Sequence, residues 1–194
     1  MPAKKILALT GDYAEDYEIM VPVQLLSMVG HIVHTVCPDK QAGDYTLTSV
    51  HDLELGLQTY YSIDGHRFTL NKTFSEVNEA EYDALFITGG GAPEYIRLNP
   101  RVIEIVQHFA NNNKPIGTVG HGVQVLAAAG VLRGRKVTGY IACEPEVAIS
   151  GGTYVKKDWG ETNVDGNLVS CVAWSGHETF VAEFLKVLGT TIEL

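Results

Sequence analysis

The sequence predicts an α/β fold: a flavodoxin-like three-layer sandwich, with a mostly parallel sheet covered by helices on both faces. Three observations carry this expectation. Short apolar runs that read as buried strands recur along the chain, with helically spaced segments between them. Three of these runs lead into glycine-bearing loops, at Gly11, Gly89-Gly90-Gly91 and Gly120-His121-Gly122. No internal repeat, low-complexity tract or linker interrupts the 194 residues, so residues 1–194 are read as one domain.

Taken in order, Lys4 to Thr10 is an apolar strand that stops at Gly11, and Pro22 to Val29 has helical spacing with Gly30 as its C-terminal cap. His31 to Cys37 is β-branched and alternating, hence a second strand. Residues 38–75 are mixed and polar, with turn signals at Ala42-Gly43-Asp44 and Asp64-Gly65; they read as loops with short strands. Asp83 to Thr88 is a buried strand, and Pro100 to Phe109 a helix with Val102, Ile105, Val106 and Phe109 on one side. Ile116 to Val119 is a strand that turns sharply at Gly120 into a helix from Val123 to Ala129. A strand near Lys136 to Tyr140 and a short helix around Pro145 to Ile149 follow. A hairpin turning at Val164-Asp165-Gly166-Asn167 returns as Leu168 to Ala173, and His177 to Leu188 is the last helix.

Composition narrows the class. Hydrophobic residues make up 45 % and charged residues 19 %, which suits a substantial core. No apolar run reaches the roughly 18–20 residues of a membrane span. The start, Met1-Pro-Ala-Lys-Lys, lacks the long apolar region of a signal peptide. Three widely spaced cysteines (Cys37, Cys143, Cys171) argue against a disulfide framework, so the expected location is the reducing cytoplasm. A formal charge of −9 disfavours nucleic acid or an anionic membrane as partner.

In sheets of this kind ligands bind where strands end and helices begin. Glu15, Asp16 and Glu18 bring carboxylates to that edge, and Gly89 to Gly91 bring backbone N–H groups unobstructed by side chains. The strand–turn–helix at Gly120 resembles a nucleophile elbow, which raises one side chain above the sheet. That position holds no nucleophile. His121, next to it, suits general acid or base work. Blander readings stand beside these. Glu18 at a helix start favours the macrodipole without any chemistry, and three glycines alone are a weak anion signal. His31 and His34 fall on opposite strand faces, no His, Cys or acidic group has metal-ligand spacing, and buried structural thiols are the default for the cysteines. No metal or cofactor is called for.

Gly11-Asp-Tyr-Ala-Glu-Asp-Tyr-Glu-Ile-Met-Val-Pro22, Thr88-Gly-Gly-Gly-Ala-Pro-Glu-Tyr95, Lys114 to Gly130 and Asp165-Gly-Asn-Leu together resemble the ThiJ/PfpI superfamily. The fold it implies is of the class I glutamine amidotransferase-like kind. Within the superfamily the chain is similar to the plant glyoxalase III type, whose members carry two such domains in tandem. The resemblance implies that the family's nucleophilic cysteine falls on Gly120, its elbow histidine on His121 and its thiol-bound carboxylate on Glu18. Glu94 matches a glutamate that reaches the elbow histidine from a neighbouring subunit in the PfpI branch; whether it serves its own or a neighbouring site stays open. Oxyanion or substrate-binding donors are expected around Gly90, Gly91 and Gly122. The implied reaction is glutathione-independent conversion of methylglyoxal or glyoxal to a hydroxy acid; deglycase, peptidase and hydratase activities are further possibilities within the superfamily.

The departure at Gly120 sets the final expectation, because thiolate chemistry needs sulfur there. The chain is read as an inactive or nearly inactive Cys-to-Gly form, designed or natural. The alternatives are a non-catalytic homologue that binds a carbonyl or anion, and a weak hydration by water held in the vacated space. The expected partner is a small dicarbonyl or other electrophile, in a homodimer or larger homo-oligomer. A strained elbow further predicts that Gly120→Cys lowers the melting temperature.

Overall fold

A computed structural model of the chain describes residues 2–192. Strand β1 (Lys5–Leu9) passes through the two-residue strand β2 (Ala14–Glu15) into helix α1 (Asp16–Met28), and β3 (Ile32–Val36) follows. A long hairpin, β4 (Tyr45–Asp52) and β5 (Tyr61–Thr69), precedes β6 (Ala84–Ile87). Next come α2 (Ala92–Ile96), α3 (Pro100–Asn111), β7 (Ile116–Val119), a 3₁₀ turn at Gly120–Gly122 and α4 (Val123–Ala128). The chain continues through β8 (Lys136–Val137), α5 (Glu144–Ile149), β9 (Thr153–Tyr154), β10 (Thr162–Asp165), β11 (Leu168–Cys171) and α6 (His177–Val187).

The main sheet has the order β10-β11-β7-β6-β1-β3, parallel except for β10 at one edge. Its strands read as unbroken apolar runs because both faces are covered. In β1, Ile6 and Ala8 pack with Leu26 of α1 and Phe180 and Phe184 of α6. Leu7 and Leu9 point the other way, into a layer with Val102, Ile105 and Phe109 of α3 and Leu126 of α4. The expected three-layer α/β fold is therefore what the chain adopts. No helix among the described residues is long and apolar enough to cross a membrane.

Five elements differ from expectation. Helix α1 begins at Asp16, so Pro22 lies inside it rather than at its start. Proline there cannot donate to the Glu18 carbonyl, yet the turn holds because Ile19, Pro22 and Leu26 are buried. Residues 45–69, expected as loops with short strands, form two long strands that join β2 in a separate three-stranded sheet. Asp64-Gly65, expected as a turn, lies within β5. The short α2 was unforeseen, and the strand expected over Lys136–Tyr140 shrinks to β8.

Candidate active site

The site forms where β1, β6 and β7 end. Glu15 caps α1, its Oε2 accepting the Glu18 backbone N–H at 2.9 Å, which is the usual service of an N-cap side chain. The cap turns Glu18 inward, where its side chain is wedged between two loops. An added Cβ at Gly89 would meet Glu18 Oε2 at 2.0 Å and the Val119 carbonyl at 2.7 Å. Only a residue without a side chain lets the β6 loop pass this carboxyl. At Gly120 the backbone takes φ +56°, and a Cβ there would sit 3.0 Å from both carboxyl oxygens of Glu18. The apex of the elbow thus aims at Glu18, as a nucleophile-bearing elbow aims at its partner.

The electrostatics follow from burial. Glu18 is 3 % exposed; desolvation, reinforced by the nearby charge of Glu15, raises its pKa well above the usual carboxylate range. The amides of Trp174 and Gly89 pull the other way, but less strongly. Its Oε2 has no hydrogen-bond partner. Glu15 is pushed up to about 7, by burial first, with the Glu18 and His51 amides opposing and the charge of Asp16 adding to the rise. Both carboxyls are thus raised by burial, which favours their protonated forms. Burial drives His121 down to about 4 despite Glu146, so its imidazole is neutral at neutral pH.

A second wall comes from distant parts of the chain. His121 stacks on Tyr140 with ring centroids 4.6 Å apart, and Tyr60 stands edge-on to both. Tyr60 stacks on His51 at 4.2 Å, and His51 Nε2 meets Ser49 Oγ at 2.9 Å. Trp174 Nε1 donates to the His51 carbonyl at 3.2 Å, tying the hairpin to the loop after β11. Glu15, Glu18, Gly90, Gly120 and His121 line one side of a cavity of about 270 Å³, and this aromatic set with Trp159 lines the other.

The expected site residues fall into two groups. Glu18, Gly90, Gly120 and His121 meet at the cavity. Gly122, Gly91 and Glu94 do not line it. Gly122 packs behind the elbow, where a Cβ would crowd the Ile87 and Thr88 carbonyls. The Gly91 amide is already committed to the Tyr13 carbonyl at 2.8 Å, which removes it as a free oxyanion donor. Glu94 lies exposed on α2 and does not line the cavity, although its charge reaches Tyr60, which does. Asp16 serves the fold instead. Burial raises its pKa, but hydrogen bonds from Thr48 and His66 overcome this and hold it low, clasping the hairpin to α1.

Sequence reasoning missed His51, Tyr60, Tyr140, Trp159 and Trp174; the aromatic cluster Tyr60-Tyr61 beside His51-Asp52 was the available signal. No cysteine lines the cavity. Cys143 and Cys171 are buried, which pushes their thiols up to about 12 and about 11 respectively. Among the described residues no group of three His, Cys, Asp or Glu side chains is placed to hold a metal.

Comparison with known proteins agrees with this geometry. Residues 4–187 match the DJ-1/PfpI family. The Arabidopsis thaliana protein DJ-1 homolog D is 48 % identical over 190 residues, covering 97 % of this chain and 49 % of that protein. Deglycase PfpI from Pyrococcus furiosus is 35 % identical over 184 residues, covering 95 % and 99 %. A solved two-domain protein from Anabaena variabilis, with DJ-1/ThiJ/PfpI-like and ferritin-like domains, superposes with TM-score 0.79 at 28 % identity, covering 96 % of this chain and 48 % of that one. The chain spans about half the length of the Arabidopsis relative. With the family matched over nearly its whole length and the elbow, glycine loop and carboxyl at one cavity, this chain belongs to the DJ-1/PfpI family.

Proposed function

We propose that the cavity is a glutathione-independent glyoxalase III-type site for methylglyoxal, glyoxal or a comparable small dicarbonyl, with its attacking cysteine replaced by Gly120. One observation carries the reading: Gly120 occupies the elbow apex at φ +56°, with its Cβ direction meeting both oxygens of a buried Glu18 at 3.0 Å. In the cysteine form the thiol adds to the aldehyde, and Glu18 moves the proton between the two carbons to leave a thioester. Water then hydrolyses that thioester, releasing the hydroxy acid and the thiol, with neutral His121 assisting as donor or acceptor. The amide at Gly90 stabilises the oxyanion. Without sulfur, the chain holds such carbonyls and converts them far more slowly.

The test pairs the chain with Gly120→Cys, following loss of methylglyoxal and appearance of lactate without glutathione. The cysteine form is expected to make lactate at least about a hundred-fold faster. No gain would sink the glyoxalase reading. The names of the Pyrococcus relatives, deglycases, favour early glyoxal adducts as a second substrate class for the same cavity. Glu94 would serve a neighbouring copy; beside it Tyr95 is 81 % and Leu98 72 % exposed, an apolar surface suited to an intersubunit contact. A monomer by light scattering would overturn that assignment.

A further inference from the structure

We propose that this chain, with glycine at the elbow, acts on the hydrated form of an α-oxoaldehyde, using Glu15 and Glu18 as a two-carboxyl proton relay in place of thiol chemistry. The proposal rests on the dicarbonyl reading above and adds the form of the substrate and a second catalytic carboxyl.

The space over Gly120 is polar and unsatisfied. Glu18 is almost fully buried, its Oε2 has no partner, and both its oxygens lie 3.0 Å from the point where a Cβ would begin. A buried polar atom left unpaired is costly, so a ligand that pairs the carboxyl is preferred. Held in its protonated form, Glu18 offers one donor and one acceptor, which together match a hydroxyl group. Glu15 lines the same cavity, faces Asp16, Glu18 and the β4 residue His51, and is pushed up to about 7 by burial. The neutral ring of His121 brings no competing charge. An α-oxoaldehyde in water is largely a gem-diol, R–CO–CH(OH)₂. It places hydroxyls on the carbon that a thiol would otherwise attack, and the volume freed by the absent side chain receives one of them.

The steps balance without an added reagent. The Glu15 carboxylate takes the C1 proton, and the C1–H electron pair becomes the C1=C2 bond. The C2 carbonyl pair moves to its oxygen, which takes the Glu18 proton. Glu15 then returns its proton to C2, using the C1=C2 electrons for the new C2–H bond, while one C1 hydroxyl loses its proton to Glu18 and becomes the carboxyl C=O. The aldehyde carbon is oxidised and the ketone carbon reduced, giving R–CH(OH)–COOH with both carboxyls restored. No thioester forms, so none has to be hydrolysed.

The experiment measures lactate from methylglyoxal, with the uncatalysed rate subtracted, for the unsubstituted chain, Glu15→Gln and Gly120→Cys. Glutamine keeps the capping acceptor at position 15, and a melting curve confirms that the variant folds. The unsubstituted chain should form lactate above background, Glu15→Gln at least about a hundred-fold more slowly, and the unsubstituted rate should rise through about pH 7 as Glu15 ionises. That pH profile needs no variant and carries the test if Glu15→Gln does not fold. An active Gly120→Cys beside an unsubstituted chain at background would overturn the hydrate relay and leave the dicarbonyl site standing. Silence in all three would overturn both. Lactate from the unsubstituted chain that is indifferent to Glu15→Gln and flat with pH would remove Glu15 from the chemistry and overturn the relay.

Discussion

The two walls of the cavity are built differently. The sheet-side wall is backbone and buried carboxyl: Gly89 and Gly120 close on Glu18 with no room to spare, between strands whose side chains are buried on both faces. The opposite wall is a set of aromatic rings, His51, Tyr60, Tyr140, Trp159 and Trp174, carried on a hairpin and loops and half open to solvent. Its members hold one another by stacking and by one hydrogen bond from Trp174. The contrast teaches how each wall is set, one by a desolvated carboxyl held against backbone and the other by stacked rings. The first wall fixes protonation through desolvation and cannot adjust, whereas the second shapes the entrance and tolerates change.

Substitutions sharpen the contrast, beginning with the tight wall. Gly89→Ala would force its methyl into Glu18 and the Val119 carbonyl. Overpacking of this kind should cost about 3 kcal/mol and lower the melting temperature by roughly 6–12 °C. A fall of less than about 2 °C would mean that the Glu18 side chain moves aside freely.

Next is a pH effect with an uncommon sign. Glu15 binds its proton more tightly folded than unfolded, about 7 against 4.5, so folding takes up a proton in that interval and stability falls as pH rises. The contribution is complete below pH 4.5 and lost above about 7, amounting to about 3 kcal/mol for this buried group. Relative to the unsubstituted chain, Glu15→Gln should gain that amount between pH 4 and pH 8 in urea titrations. The depressed histidines His51, His121 and His177, which act in the opposite direction below pH 6.5, cancel in the comparison. A pH-independent difference would show that Glu15 titrates normally.

Gly120→Cys should cost about 1–3 kcal/mol, since a side chain at φ +56° is strained and Glu18 must yield a few tenths of an ångström. An unchanged melting temperature would mean that sulfur contacts offset the strain. The smallest effect belongs to the open wall. Trp174→Phe removes the bond to the His51 carbonyl and should cost about 1 kcal/mol, or roughly 2–4 °C. A larger loss would show that this wall is as rigid as the first.

The same contrast governs what could be read from sequence. Strands β1, β6 and β7 announced themselves because residues such as Leu7, Phe86 and Val119 are apolar on both faces, and the glycines at their ends marked the ligand edge. Glu18 and His121 were legible through the motifs around them. The hairpin was not, because β5 is exposed almost throughout and Gly65 breaks its pattern in mid-strand, so neither periodicity nor composition marked it. Tyr60, Trp159 and Trp174 reach the cavity only through that hairpin and the loops flanking β10 and β11. Apart from the Tyr60-Tyr61 pair, their sequence neighbours carry no hint of the meeting. The Gly91 amide looked available until the Tyr13 carbonyl was seen to occupy it.

The positive φ at position 120 also gives the elbow a direction of drift. A side chain there is kept only while its chemistry is worth keeping, because the backbone itself favours none. Once that demand lapses, glycine is the nearest state of rest, and each later change that adapts to it steepens the way back. An apex of this shape is therefore a ratchet: exchanging a side chain for glycine relaxes the backbone in one step, and restoring one strains it.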